Sequence, residues 1–266
     1  MRPLCLARST RLIHYEFPLN ERVRTWLRLE DLFDKADYFM TAGDPRAHHA
    51  ALLAIFELAD VMARSDLRGE LLQELERQKH ILESLRGNTA VDLERLEEII
   101  EQLTRALADL HGQIGKPGQH LRENDWLMSI KNRTVIPGGA CSFDLPSYHS
   151  WLYHEAGLRE ADLRNWIRPF QPYWQAAIMV LQLLRESGND VACIAPKGVY
   201  QLMLSGRTVH FLRIDMDDSL ICAPEVSANK YAVNLRFILI DKIQKPRTCE
   251  EDIPFSMRLC TLSGCG

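Results

Sequence analysis

Apolar positions recur every three or four residues from Leu19 to about residue 187, then alternate in short runs after residue 190. The first period belongs to helices with one buried face, the second to half-buried strands. Asn20 stands where an N-cap belongs, and Val23, Trp26, Leu27 and Phe33 follow at helical spacing. Arg24 and Arg28, four residues apart, share a face of this helix. Asp44-Pro45 opens a second helix, with proline at the first helical position and a stripe of Leu52, Ile55, Phe56, Ala59 and Met62. Two long amphipathic stretches come next. Residues 66–86 carry Leu67, Leu71, Leu75, Leu82 and Leu85; residues 91–111 carry Leu93, Leu96, Ile100, Leu103, Leu107 and Leu110. Gly87-Asn88 between them is a stop and a turn, short enough to force the helices antiparallel. The pattern predicts a helical hairpin over 66–111, roughly 30 Å long.

After a loop over 112–118, Leu121, Trp126, Leu127 and Ile130 predict one further helix. The run Ile136-Pro-Gly-Gly-Ala-Cys-Ser-Phe-Asp-Leu-Pro146 breaks the pattern, with Gly138-Gly139 suited to a turn that side chains resist. Asp144 is placed to cap the helix that carries Tyr148, Trp151 and Leu152. Trp126, Trp151, Trp166 and Trp174 are expected to fill the helical core, with a place at the rim of a groove as the alternative for one of them. Two more helices part near Pro169 and Pro172, and the last is expected to end at Ser187-Gly188 with a left-handed glycine. Residues 199–204, 209–214, 231–237 and 255–260 read as strands whose spacing suits an antiparallel meander; residues 11–17 read as an N-terminal strand that joins the sheet. The fold class is therefore α+β: an N-terminal, mainly helical domain followed by an antiparallel β-sheet domain. The expected organisation is an N-terminal segment over 1–18, a helical domain over 19–189 and a β domain with its tail over 190–266.

Composition narrows the function classes. The 266 residues, 46% hydrophobic and 26% charged, are an ordinary soluble mixture, enough for one large domain or two small ones. A net charge of −4 argues against a dedicated nucleic-acid binder. The charge is uneven: residues 57–109 hold 13 acids against 7 bases, whereas residues 195–247 hold 8 bases against 5 acids. Seven cysteines at irregular spacing exclude a fully paired disulfide framework and point to a reducing cytosol. The strongest apolar run, residues 176–184, is interrupted by Gln182 and too short to span a bilayer, so no membrane insertion is expected. The first fifteen residues carry Arg2, Arg8 and Arg11 without the apolar core of a secretory signal.

Candidate chemistry is sparse. Cys141, Asp144 and His149 are the types a thiol enzyme uses, but no thiol-enzyme signature surrounds them, and a structural loop is the competing reading. Cys249, Cys260 and Cys265 lack the close pairing of a structural zinc site, and adjacent His48 and His49 diverge by roughly 100° on a helix. No phosphate-cradling glycine motif occurs, so no catalytic, metal or cofactor residue is assigned. The basic residues carry more. Arg24 and Arg28 on the first helix, Arg122, Lys131 and Arg133 flanking the central loop, and Arg236 on a strand compose either solvated faces with local ion pairs or a basic surface for an acidic peptide.

A family resemblance bears on this choice. Phe17-Pro-Leu-Asn-Glu-Arg-Val-Arg-Thr-Trp-Leu-Arg-Leu-Glu30 resembles the opening signature of the ZapD family, Z-ring-associated proteins of bacterial cell division. Gly118-Gln-His-Leu-Arg-Glu123, then the 136–146 run with His149 and Trp151, is the second match. Leu71-Leu-Gln-Glu-Leu-Glu-Arg-Gln78 and Tyr231-Ala-Val-Asn-Leu-Arg-Phe237 are the third, and together the matches run from about residue 12 to 262. The resemblance implies a homodimer that binds the flexible C-terminal tail of the tubulin-like division protein FtsZ and crosslinks FtsZ filaments at the mid-cell division site in the cytoplasm. It implies neither an enzyme nor a nucleic-acid partner. Arg28, Arg122 and His149 lie inside matched segments, so a partner-binding role carries over to them most directly, with Arg24, Lys131, Arg133 and Arg236 beside them. A thiol-dependent enzyme at the Cys141 loop and a general helical scaffold stand as the alternatives.

Overall fold

The computed structural model describes residues 11–63, 66–241 and 245–262. Cys265 and the N-terminal Arg2 and Arg8 lie outside the described residues. The chain divides into two compact units: residues 25–181, and residues up to 24 together with those from 182 onward.

The first unit is helical. It is built from α1 (Glu21–Thr41), α2 (Pro45–Ala63), α3 (Leu67–Ser84), α4 (Leu93–His111), α5 (Gln119–Arg122), α6 (Asp125–Thr134), α7 (Pro146–Leu152), α8 (Ala156–Ile167) and α9 (Gln171–Glu186), with the start of α1 and the end of α9 belonging to the other unit. The predicted caps form. Asn20 Oδ1 accepts the Val23 N–H at 2.9 Å, and Asp44 Oδ1 accepts the Arg46 N–H at 2.8 Å. Trp26, Leu29, Phe33, Ala36 and Met40 form the buried row of α1. The hairpin of α3 and α4 buries Leu71 and Leu75 with Leu96, Ile100, Leu103 and Leu110, and is tied at both ends. Arg68 Nη2 donates to the His111 carbonyl at 2.9 Å, and at the turn Arg86 grips Glu97 through bonds of 2.7 and 2.9 Å.

The structure corrects several local expectations. The helix foreseen around Leu121 and Ile130 is two, α5 and α6, because Asn124 stops one and caps the next: its Oδ1 accepts the Leu127 N–H at 3.0 Å. Asn124→Ala is expected to cost about 1 kcal/mol, read as a lower urea midpoint; an unchanged midpoint would show that solvent replaces the cap. Asp144 does not cap α7. Leu145 holds that position without a side-chain bond and Pro146 starts the helix, while Asp144 turns to Arg133 at 3.3 Å. Of the four tryptophans expected in the core only Trp151 is buried; Trp126, Trp166 and Trp174 are half-buried, and Trp26 lies deepest. Gly188 does not adopt a left-handed φ. A Cβ there would sit 2.3 Å from the Leu259 carbonyl oxygen, so glycine is required by close approach of a strand.

The second unit holds β1 (Leu12–Pro18), β2 (Asp190–Ala195), β3 (Val199–Met203), β4 (Phe211–Asp217), β5 (Cys222–Ala228), β6 (Ala232–Leu239) and β7 (Ile253–Cys260). All pairings are antiparallel. The N-terminal strand joins a sheet, as expected: β1 pairs with β4 from Leu12 opposite Asp217 to Pro18 opposite Phe211. The strands do not form one meander. They make two sheets, ordered β1-β4-β7-β2 and β3-β6-β5, so β4 pairs with β1 and β7 rather than with β3. Inward rows of both sheets, Leu212, Ile214 and Met216, Phe255 and Met257, and Val233, Leu235 and Phe237, share one core. Each such side chain removed from water contributes roughly 1.5–3 kcal/mol. On the outward row of β4, Arg213 donates to Asp215 at 2.9 Å, and Glu16 of β1 receives both arms of Arg185 at 2.8 and 2.7 Å.

Candidate partner-binding surface

Arg28 is exposed on α1 and makes no ion pair among the described residues. Arg24, one turn earlier, lies 3.3 Å from Glu21 and belongs to the β-containing unit. Within the helical unit the fold brings Arg122 and Lys131 to one flank of α2. Arg122 closes α5, which starts from Gly118 at φ +73°. A Cβ at Gly118 would approach Ala59 Cβ to 3.1 Å, so this glycine lets α5 lie against α2. The Arg122 guanidinium folds back to donate to the Pro117 carbonyl at 2.9 Å, keeping its remaining donors exposed. Lys131 reaches Asp60, the residue after Ala59, and is partly covered.

Arg133 leads into the 136–146 loop, a succession of tight turns. Gly138 has φ +71°, and a Cβ at Gly139 would lie 2.2 Å from the Arg133 carbonyl oxygen, so both glycines are required. The guanidinium of Arg133 holds Asp144 at the far end of the loop. Between them Val135, Ile136 and Phe143 stand in solvent, Phe143 at 82% exposure. His149 is exposed on α7, its ring edge-on to Tyr153 at 5.0 Å. Arg236 belongs to the β-containing unit, where it pairs across strands with Glu225 at 2.9 Å beside a groove of about 610 Å3 lined by Phe17, Val199, Pro224 and Val226. The seven residues thus fall on both units: Arg28, Arg122, Lys131, Arg133 and His149 on one, Arg24 and Arg236 on the other.

Residues 27–236 match the family model of the cell division protein ZapD. The chain belongs to the ZapD family. The cell division protein ZapD of Janthinobacterium sp. (strain Marseille) is 49% identical over 250 residues, 94% of this chain and 100% of that relative. Its counterpart in Nitrosomonas eutropha is 47% identical over 251 residues, and that of Aromatoleum aromaticum 45% over 255, each matched along its full length. Membership of the ZapD family gives the chain a role in cell division.

In this ZapD family member Asp144, the orienting carboxylate a thiol nucleophile at Cys141 would recruit, is held by Arg133 instead. Cys141 is exposed, whereas burial pushes the Cys260 thiol up to about 11 and raises Cys222 as well, keeping both protonated. No three His, Cys, Asp or Glu side chains gather as metal ligands among the described residues. Nor is any helix among them long and apolar enough to cross a membrane.

Two supports of the surface escape a reading of the sequence. On the buried face of α7, Tyr148 stacks on Trp151 at 5.7 Å, and Trp126 lies edge-on to both rings. The Tyr148 hydroxyl and His49 Nδ1 share a hydrogen bond of 2.6 Å. Burial pulls His49 below its ordinary 6.5 and raises Tyr148 well above the usual phenol range. Folded His49 therefore takes up its proton at lower pH than the unfolded chain does. Its contribution to stability is full above the ordinary histidine range and is lost as the pH falls below it. Unfolding at pH 7 and about pH 5 should show a fall that His49→Gln flattens; parallel losses in both proteins would place the acid sensitivity elsewhere. The second support is Arg159. Only 4% exposed, it donates to His48 Nδ1 at 3.0 Å and to the carbonyls of Gly43 (2.9 Å), Leu152 (3.1 Å) and His154. Its spacing to Leu163 and Ile167, four and eight residues on, puts this arginine on the buried face of α8, but nothing in the pattern reports that two interhelical turns converge on it.

Proposed function

We propose that this ZapD family member binds the flexible C-terminal tail of FtsZ through a basic surface and, as a homodimer, crosslinks FtsZ filaments into bundles at the mid-cell division site in the cytoplasm. Its role is non-enzymatic. The observation that carries this reading is Arg28: a guanidinium inside the family-matched span, exposed and without an ion-pair partner among the described residues. Such a group is available to a carboxylate at no cost in broken native pairs. Arg122 and His149 offer further exposed donors, while Val135, Ile136 and Phe143 beside Arg133 supply apolar contact for the tail's hydrophobic residues. A twofold dimer would present each site twice, and one dimer would then hold tails from two filaments. Many tails along a filament raise the effective concentration for each next contact.

Retention on the immobilised FtsZ tail tests this directly. The full chain should be held at low ionic strength and released as salt screens the contacts. Passage through the column without retention at low salt would remove the proposal.

A further inference from the structure

Outside the seven residues above, the β-containing unit has a cavity that joins apolar walls to uncompensated charge. We propose that the pocket between the turn at 204–207 and the turn at 229–231 binds a partner's extended acidic peptide segment through one large apolar side chain and its flanking carboxylates. The pocket encloses about 610 Å3. Leu19, Leu204, Val209 and Tyr231 form its apolar walls, Arg207 and Lys230 stand at its edge, and none of its described lining residues is acidic.

Both turns are locked before any ligand arrives. Ser205 and Gly206 take φ of +49° and +80°, and the Arg207 N–H closes the turn onto the Leu204 carbonyl at 2.9 Å. In the second turn Asn229 Oδ1 accepts the N–H groups of Tyr231 and Ala232 at 2.8 and 3.0 Å. The Leu204 N–H donates to the Tyr231 carbonyl at 2.7 Å and joins the two turns, while the Leu19 N–H, at 2.9 Å from the His210 carbonyl oxygen, holds the remaining wall. The pinned backbone spares the site the cost of ordering its turns, so what binding orders is the side chains of the two exposed cations.

Their charge is also unspent. Arg185, Arg213, Arg236 and Arg258 of the same unit each hold a carboxylate. Arg207 reaches only the Leu204 carbonyl, at 3.4 Å, and Lys230 lies 4.8 Å over the Tyr231 ring; neither meets an acid among the described residues. Tyr231 remains 62% exposed between them. An aromatic face beside two open cations suits a peptide that pairs an apolar residue with carboxylates. The apolar walls favour this ligand over a nucleic-acid backbone, which would use charge alone.

The test titrates the full chain with a fluorescein-labelled synthetic peptide, Glu-Asp-Glu-Leu-Glu-Asp-Glu, by fluorescence anisotropy. A same-charge peptide with Ser for Leu and an oligo-thymidine strand serve as further probes. Arg207→Ala with Lys230→Ala should weaken the Leu peptide at least about tenfold and flatten its salt dependence. Tyr231→Ser should weaken it several-fold, and the Ser peptide should bind wild type several-fold less tightly. Arg95→Ala with Arg105→Ala, which removes two exposed arginines of α4, should leave binding unchanged. All of these positions are exposed, so folding is preserved and circular dichroism verifies it. The proposal is overturned by no binding of the Leu peptide, by equal loss in the α4 double variant, by equal affinity for the Ser peptide, or by tighter binding of the oligonucleotide. The Arg207 with Lys230 and the Tyr231 variants leave Arg28 and the central loop intact, so their effects separate this pocket from the tail-binding proposal.

Discussion

Replacing Arg159 by methionine is expected to destabilise the helical unit by several kcal/mol, since each buried acceptor left without its donor costs about 1–3 kcal/mol. Methionine keeps much of the volume, so the loss reports the bonds rather than a cavity. Four acceptors lose their donor: His48 Nδ1 and the carbonyls of Gly43, Leu152 and His154. His48 is itself fully buried, and its Nε2–H donates to the Met40 carbonyl at 2.9 Å, which leaves Nδ1 as the acceptor for Arg159. One guanidinium therefore holds the α1–α2 turn and the α7–α8 turn in register. Lysine cannot substitute, because its three donors radiate from one atom and do not fan across four acceptors. Arg159→Lys should recover less than half of the lost stability. Urea unfolding followed by circular dichroism measures both variants. A loss below about 1 kcal/mol for Arg159→Met would mean that water satisfies these carbonyls without the arginine. Since a domain of this kind has about 5–15 kcal/mol in total, the expected loss also lowers the yield of folded protein.

What the sequence discloses is local. The caps Asn20 and Asp44, the hairpin leucines and the alternation of β6 are properties of a few consecutive residues, and each appears where periodicity puts it. Strands β2 and β5 went unseen for an equally local reason. Cys-Ala-Pro-Glu-Val-Ser-Ala lacks the β-branched and aromatic run that marks a strand, and Pro224 argues against one. It is tolerated because β5 is an edge strand that pairs with β6 alone. The order of strands in the sheets, the acceptors that Arg159 meets and the bond between Tyr148 and His49 depend on contacts between distant segments, which periodicity does not encode. The basic residues are an intermediate case. Their identity was legible, but whether each is already paired was not: Arg133, Lys131 and Arg236 hold native acids, while Arg28 holds none among the described residues. Family motifs supplied the cell-division role, for which no spacing of catalytic groups substitutes.

That difference in pairing decides which charge reversal is informative. Under the proposed tail-binding function, Arg28→Glu should abolish most filament bundling while the protein stays folded and its oligomeric state is unchanged. Arg133→Glu would set two acids against each other at the end of the 136–146 loop, and Arg236→Glu would do so across β5 and β6, so their losses would mix folding with binding. Arg28 is exposed and breaks no ion pair on replacement. One charge-assisted contact contributes about 1.5–3 kcal/mol, roughly a 10- to 150-fold change in affinity for one site, and reversal adds repulsion from the tail's acids. Bundling amplifies the effect, because a bridge requires both sites of a dimer at once and each weakened site lowers the chance of the second engagement. Low-speed sedimentation of FtsZ polymers measures bundles, with size-exclusion chromatography and circular dichroism on the same samples. Raising salt from about 50 to 300 mM should weaken wild-type bundling in the same direction, as screening shortens the reach of exposed charges. Undiminished pelleting by Arg28→Glu across that salt range would rule out an electrostatic site on α1 and shift the tail contact to the apolar residues of the central loop.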